Sequence, residues 1–205
     1  MMDKEVSEKM MEVCRGLTRM LELSHQGFRM AAEKPIQEAE EAKKEVRRRC
    51  SDLATFLISK SASGPKEREW AKPMFSMASS FERMSYNLEG VIDRLRGMTR
   101  ERVFFSDRGG KEINAIFQEA ISLLGSLPDL ILTRNKLLAE HIEEKAKAFF
   151  KKVAEFSEEH EKRLIEGVCI PKSSPIYLGI LESLEAIVAH TLEVSNKIVS
   201  FPPES

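Results

Sequence analysis

Cysteine is scarce in this 205-residue chain, and its placement excludes several kinds of site. The three residues are Cys14, Cys50 and Cys169, an odd number with no Cys-x-x-Cys spacing. Neither a zinc knuckle nor a disulfide framework is therefore indicated. Thiols that are left unpaired in this way are typical of proteins in reducing compartments. We expect a cytoplasmic protein without structural disulfides.

An excess of charge of one sign is also missing. The chain has 32 Lys and Arg against 33 Asp and Glu, which leaves a net charge of -1. Since no overall basic field exists, a nucleic-acid partner is not expected. The N-terminus lacks the apolar core of a signal peptide, and no apolar run approaches the roughly 18 residues that span a bilayer. The sequence predicts a soluble protein that meets a membrane only through a partner.

Strand-like alternation is absent, whereas apolar residues recur at helical spacing along nearly the whole chain. The clearest seam lies in residues 70–95, and a second one lies in residues 175–200. Each seam steps by four and three residues, which is the pattern of a helix packed in a bundle. The first seam comprises Trp70, Met74, Met77, Phe81, Met84, Leu88, Val91 and Leu95. The predicted fold class is all-α.

Proline, glycine and helix-capping residues divide the chain into six predicted helices. Ser106 (or Asp107), Asn135 and Ser174 are the expected N-caps of the last three. Pro128 is expected to kink or end the fourth helix, while Pro73 is either tolerated early in the third helix or begins it. The predicted helices lie near residues 4–30, 35–60, 65–98, 107–132, 136–166 and 175–200.

The two halves of the chain repeat each other. A shift of 103 residues places Glu82 on Glu185, and the order of helices and the positions of loops agree at the same shift. Agreement of all three features indicates an internal repeat. The predicted architecture is two tandem antiparallel three-helix bundles, residues 1–103 and 104–205.

Three segments carry a resemblance to a known family: "FERMSYN" (81–87), "LEAIVAH" (184–190) and "FSDRGGKEINAIFQEAISLL" (105–124). They resemble the PhoU family of phosphate-uptake regulators, in which the third helix of each repeat carries Glu, three residues, Asp and often His. The resemblance extends over essentially the whole chain and is clearest from residue 104 onward. It implies an all-α adaptor without catalysis, which links a phosphate transporter to a sensor kinase or dampens the transporter.

The resemblance also implies a metal site, because many members bind iron or zinc clusters through those carboxylate pairs. Glu82 and Glu185 match the first carboxylate, but Tyr86 and Ala189 occupy the second position. Helix two of each repeat supplies further acids. One carboxylate per third helix leaves few oxygen ligands for a cluster. The candidate ligands for iron or zinc are Glu82, Glu185, Glu41, Glu144 and His190.

Two functions remain open from the sequence. The first is a PhoU-like adaptor that contacts a phosphate transporter or sensor kinase, as a monomer or homo-oligomer. The alternative is a helical protein that stores or senses iron or zinc. No enzyme is expected, because nothing in the sequence pairs a histidine with a nucleophile and the Glu-x-x-His motifs that a di-iron centre needs on two facing helices are not found. The four histidines are His25, His141, His160 and His190.

Overall fold

The computed structural model describes residues 3–201, and this part of the chain is helical with no strand. The all-α prediction is therefore confirmed. The bounds of five helices differ from the predicted ones by at most three residues, and the predicted fourth helix is divided in two. A short 3-10 turn, Pro171–Ser173, precedes the last helix. The helices are α1 (Lys4–Met30), α2 (Glu33–Ser61), α3 (Pro65–Glu101), α4 (Asp107–Gly125), α5 (Leu127–Thr133), α6 (Lys136–Ile165) and α7 (Ser174–Ser200).

Two prolines lie inside the predicted helices, and they behave differently. The predicted fourth helix is divided into α4 and α5, with Pro128 in the first turn of α5. At the break, the Ser126 N–H donates to the Leu123 carbonyl at 3.2 Å. This bond spans three residues, whereas an α-helical bond spans four, so the turn is tighter than an α-helical one. The expectation that Pro128 kinks or ends the fourth helix is thus confirmed, because α4 ends at Gly125 and a new helix begins at Leu127. Pro73 instead lies within α3, which begins at Pro65 and continues through it.

Two of the three expected N-caps are confirmed. Ser106 and Asn135 accept hydrogen bonds from backbone N–H groups in the first turns of α4 and α6. The expectation for Ser174 was wrong: Ser173 holds the N-cap position of α7, and Ser174 lies in the first turn. The Ser174 hydroxyl is instead 2.9 Å from His160 Nε2 in the neighbouring helix. A tertiary hydrogen bond has replaced the local one.

The helices form two three-helix sets that share one core. α1, α2 and α3 pack against one another, and so do α4, α6 and α7. The sets meet mainly where α3 packs against α7, and α1 also packs against α4 and α5. α3 and α7 are antiparallel, because Ser80 bonds Glu193 at 3.0 Å and Arg94 contacts Ser183 at 3.5 Å. The buried apolar residues of both sets form a single continuous cluster.

α1 and α2 approach each other closely at Gly27. A Cβ atom at this position would lie 2.6 Å from Cγ1 of Ile36, which is closer than side chains tolerate. The Gly27 carbonyl also accepts the Ala32 N–H at the end of α1, where Ala31 has a left-handed φ of 47°. Glycine therefore lets the first turn of α2 pack directly on the end of α1.

One segment of the described chain, Asp107–Thr133, is long and apolar enough to be a candidate membrane span by length and composition. This corrects the expectation that no segment approaches that length. The segment combines α4 and α5 across the break at Ser126. Most of its large apolar side chains, including Ile113 and Phe117, are buried in the bundle core, whereas Leu132 is exposed. Burial against the other helices accounts for much of its hydropathy.

Candidate functional site

A groove of about 380 Å³ lies between α2 and α3 and contains Glu82. We call it the α2–α3 groove. Ion pairs across the two helices border it, since Lys43 and Arg47 of α2 lie 3.0 and 2.5 Å from the Glu89 carboxylate of α3. The groove is lined by Arg47, Cys50, Ser51, Ala54, Thr55, Glu82, Ser85 and Tyr86.

The polar groups of the groove are largely unpaired. Ser85 is only 4% exposed, and its hydroxyl has no hydrogen-bond partner. Glu82 forms no hydrogen bond or ion pair with any residue in the part of the chain that the structure describes. Burial, and then the Glu82 carboxylate, raise the pKa of Cys50 to about 12, so this thiol stays protonated at neutral pH. The groove thus offers a free carboxylate and a free hydroxyl.

Tyr86 occupies the position where the resemblance would place a second carboxylate, and it faces outward. Its side chain is 64% exposed, and the Arg47 guanidinium lies 5.6 Å from its ring centroid. Tyrosine and arginine are enriched among the residues that dominate protein–protein interfaces. A phenol is not among the usual ligands of hard cations, which are carboxylates, carbonyl oxygens and waters. The arrangement suits contact with a protein better than binding of a metal cluster.

The predicted metal ligands do not come together. In the first repeat, Glu41 is exposed and its carboxylate lies 2.8 Å from Lys44 Nζ, away from the residues that line the groove around Glu82. Between residues 3 and 201, no group of three or more His, Cys, Asp or Glu side chains is placed to hold a metal ion. The residues present do not fit a multinuclear cluster.

The second repeat gives the same picture. Glu185 is half-buried on α7, and burial followed by the nearby Glu182 raises the pKa of its carboxyl group. His190 Nδ1 lies 3.2 Å from the Glu193 carboxylate, and Glu144 is exposed on α6. Iron or zinc binding by the five candidate ligands stays a prediction, to be tested by metal analysis.

A second polar cluster, which the sequence did not predict, is buried in the second three-helix set. We call it the buried polar cluster: Glu112, His160, Arg163, Cys169, Ser174 and Tyr177. The Arg163 Nη1 and Nη2 groups donate to the two Glu112 carboxylate oxygens at 3.0 and 2.6 Å. The Tyr177 hydroxyl donates to Glu112 Oε2 at 2.6 Å. Exposed Arg108 adds a third donor at 3.0 Å.

The histidine of this cluster is held in place on two sides. The His160 ring is stacked on the Tyr177 ring with centroids 4.2 Å apart, and Nε2 contacts the Ser174 hydroxyl. Burial, and then the charge of Arg163, lower the pKa of His160, which favours its neutral form. Burial, and then the Glu112 carboxylate, raise the pKa of Tyr177. The cluster therefore combines one charged pair with a neutral histidine.

A sequence signal for part of this cluster exists. The inward face of α6 steps by four and three residues through Phe149, Val153, Phe156, His160 and Arg163. The last two polar residues thus continue an apolar seam. A polar residue on such a seam must find a partner, because an unpaired buried polar group is costly. The partner, Glu112, is 51 positions away from Arg163 and is identified only by the fold.

These features define a class: an all-α protein of two three-helix sets joined along α3 and α7, with an acidic and aromatic groove on the first set. No family sequence model matches the chain, and no curated protein matches it by sequence. Solved structures do match it, over nearly its full length.

Three of the matching structures are PhoU or PhoU-like proteins. The phosphate transport system regulatory protein PhoU from Streptococcus pneumoniae has a TM-score of 0.81 at 13% identity, covering 95% of this chain and 92% of that one. PhoU from Pseudomonas aeruginosa has a TM-score of 0.74 at 13% identity, covering 96% of this chain and 94% of that one. A PhoU-like phosphate regulatory protein from Shewanella oneidensis MR-1 has a TM-score of 0.57 at 10% identity, covering 95% of this chain and 97% of that one. The chain therefore has a divergent PhoU-like fold.

Proposed function

We propose that the chain is a PhoU-like regulatory adaptor of phosphate transport or signalling. The observation that carries the proposal is the match to PhoU structures along almost the entire length of both chains, with a TM-score as high as 0.81. A match of this extent includes both three-helix sets and their relative placement. The proposal assigns no catalytic reaction to the chain, and it places the protein in the cytoplasm.

The adaptor acts by contact with a phosphate transporter or a sensor kinase. The α2–α3 groove supports this part of the proposal, because Tyr86 is exposed beside the Arg47 guanidinium and the unpaired Glu82 carboxylate. A partner side chain that enters the groove would cover the Tyr86 ring and pair with Glu82 and Ser85. A tyrosine at the centre of such a contact typically contributes about 2 kcal/mol or more to binding.

The test is capture of membrane partners by the purified chain. Detergent-solubilised membranes of the host cell are passed over immobilised protein, and bound components are quantified by mass spectrometry. Three baits are compared: the wild type, Tyr86→Ala, and Leu137→Ala, which removes a 74% exposed apolar side chain from the first turn of α6. A bait with scrambled surface charges measures non-specific retention.

We expect enrichment of phosphate-transporter or sensor-kinase components on the wild type and on Leu137→Ala. Retention by Tyr86→Ala should fall about thirtyfold, which corresponds to the loss of about 2 kcal/mol. If neither class of component is enriched over the scrambled-charge bait, the adaptor role is wrong. If Tyr86→Ala loses no more retention of these components than Leu137→Ala does, the α2–α3 groove is not part of the contact.

A further inference from the structure

A cavity of about 220 Å³ opens at the end of the second three-helix set, beside the buried polar cluster. We call it the end cavity. The connection between α3 and α4 borders it on one side, through Phe105, and the connection between α6 and α7 borders it on the other, through Cys169. His160 and Tyr177 form its inner wall. The cavity is therefore mostly apolar, with a thiol and an imidazole at its surface.

Cys169 differs from the other two cysteines in its surroundings. It is partly exposed, whereas Cys14 and Cys50 are buried. Burial raises the pKa of both buried thiols, which keeps them protonated and unreactive. Access through the end cavity distinguishes Cys169 from both.

Two basic side chains lie against the Cys169 thiol. Its Sγ atom is 4.0 Å from His160 Nδ1. Arg163 is a direct neighbour, because the Cys169 backbone N–H donates to its carbonyl at 3.2 Å, and the Arg163 Nε–H is buried with no hydrogen-bond partner in the described chain. Arg163 is only 6% exposed, so its unsatisfied donor cannot turn to bulk water. An unpaired buried donor is costly, and an oxygen atom added to the neighbouring Cys169 sulfur would offer it an acceptor.

The orientation of His160 suits it to take the thiol proton. When Nε2–H donates to the Ser174 hydroxyl, Nδ1 carries the lone pair and faces Cys169. Stacking on Tyr177 holds the ring in this position. Because burial and Arg163 lower the pKa of His160, the imidazole is unprotonated and available as a base.

We propose that Cys169 is a thiol modification site, at which small hydroperoxides that enter the end cavity oxidise the sulfur to a sulfenic acid. The site stands apart from the proposed adaptor function, which rests on the fold and on the α2–α3 groove. Its ligand class is the small neutral hydroperoxide, which an apolar cavity of about 220 Å³ admits more readily than a charged oxidant.

The oxidation requires Cys169, His160 and one molecule of hydroperoxide. His160 Nδ1 takes the proton of the Cys169 thiol, and the sulfur attacks the terminal oxygen of the hydroperoxide, the one that carries the hydrogen. The S–O bond forms as the O–O bond breaks, so sulfur loses two electrons and the peroxide gains them. The leaving alkoxide or hydroxide takes the proton back from His160 and departs as an alcohol or water.

The test uses the full chain, fully reduced and then exposed to hydrogen peroxide in the presence of dimedone, which traps sulfenic acids. Intact mass and peptide mapping give the rate of labelling at each of the three cysteines. The same chain unfolded in urea provides the reference, because all three thiols then have ordinary surroundings. His160→Gln keeps an amide near the Ser174 hydroxyl and removes the base, and circular dichroism checks its fold.

We expect labelling of folded protein at Cys169, with Cys14 and Cys50 unlabelled, at least about tenfold faster than at Cys169 in urea. His160→Gln should lower the folded rate about tenfold or more and leave the urea rate unchanged. If His160→Gln does not fold, the proposal is tested by comparing the rate of Cys169 labelling in the folded wild-type chain with the rate in urea. Labelling of Cys169 that is no faster in the folded chain than in urea would overturn the proposal. So would a folded His160→Gln variant that reacts at the wild-type rate.

Discussion

Removal of Arg163 is the perturbation whose cost the structure defines best. Arg163 and Glu112 are each 6% exposed, and two hydrogen bonds of 3.0 and 2.6 Å join them. Arg163→Met leaves the Glu112 carboxylate buried without its main partner, which typically costs about 3–5 kcal/mol. The bonds from Tyr177 and Arg108 to Glu112 remain. We therefore expect a loss near the lower end, about 3 kcal/mol in the free energy of unfolding.

The assay is urea unfolding followed by circular dichroism, with a second variant as the control. Lys147→Met removes an exposed ion pair with Glu143 at 2.6 Å, and pairs of this kind contribute only about 0.5 kcal/mol. The double variant Arg163→Met/Glu112→Met removes both buried charges, and we expect it to recover most of the loss. If Arg163→Met costs no more than Lys147→Met, or if the double variant is less stable than Arg163→Met, the assignment of a buried, coupled charge pair is refuted.

Three further predictions follow from single features of the structure. Gly27→Ala should lower the free energy of unfolding by about 1–3 kcal/mol, because its Cβ would overlap α2. Gly97→Ala, which has open space around it, should instead raise it by about 0.5–1 kcal/mol, and equal effects of the two variants in thermal unfolding would contradict this packing. Burial lowers the pKa of His25 below its ordinary value of 6.5. As the pH drops from about 7 to about 5, the unfolded chain therefore binds this proton first, and the free energy of unfolding should fall. Urea titrations of His25→Gln should show a shallower fall with pH, and a slope identical to that of the wild type would count against burial as the cause. Elemental analysis after incubation with iron or zinc and desalting should find less than stoichiometric metal, because the candidate ligands are dispersed; stoichiometric metal that Glu82→Ala abolishes would show that other groups complete a site.

The helices were predictable because their signals are local. Seams that step by four and three residues gave the inward faces, and the cap Asn135 and the breaker Pro128 gave boundaries. Ser174 shows where local reasoning stops, because the hydroxyl that would cap its own helix instead bonds His160 across the bundle. The choice between these two partners depends on tertiary packing, which helix periodicity does not encode.

The candidate sites were predictable only in part. The sequence identified Glu82 and the substitution at Tyr86, but the groove between them and α2 appears only when two helices are packed. Cys169 and His160 are nine residues apart on either side of a helix end, a separation that carries no helical periodicity. Their contact arises because the chain turns back after Ile165, and that turn places the thiol beside the last turns of α6.

The central claim, that the chain regulates phosphate transport or signalling by contact, is tested most directly by phosphate uptake in host cells that lack it. Uptake and phosphate-starvation signalling are measured at high external phosphate, with the wild type, Tyr86→Ala or Leu137→Ala expressed in the deletion strain. We expect that loss of the protein raises uptake or signalling, that the wild type and Leu137→Ala restore control, and that Tyr86→Ala restores little of it. Unchanged uptake and unchanged signalling in the deletion strain would contradict the account.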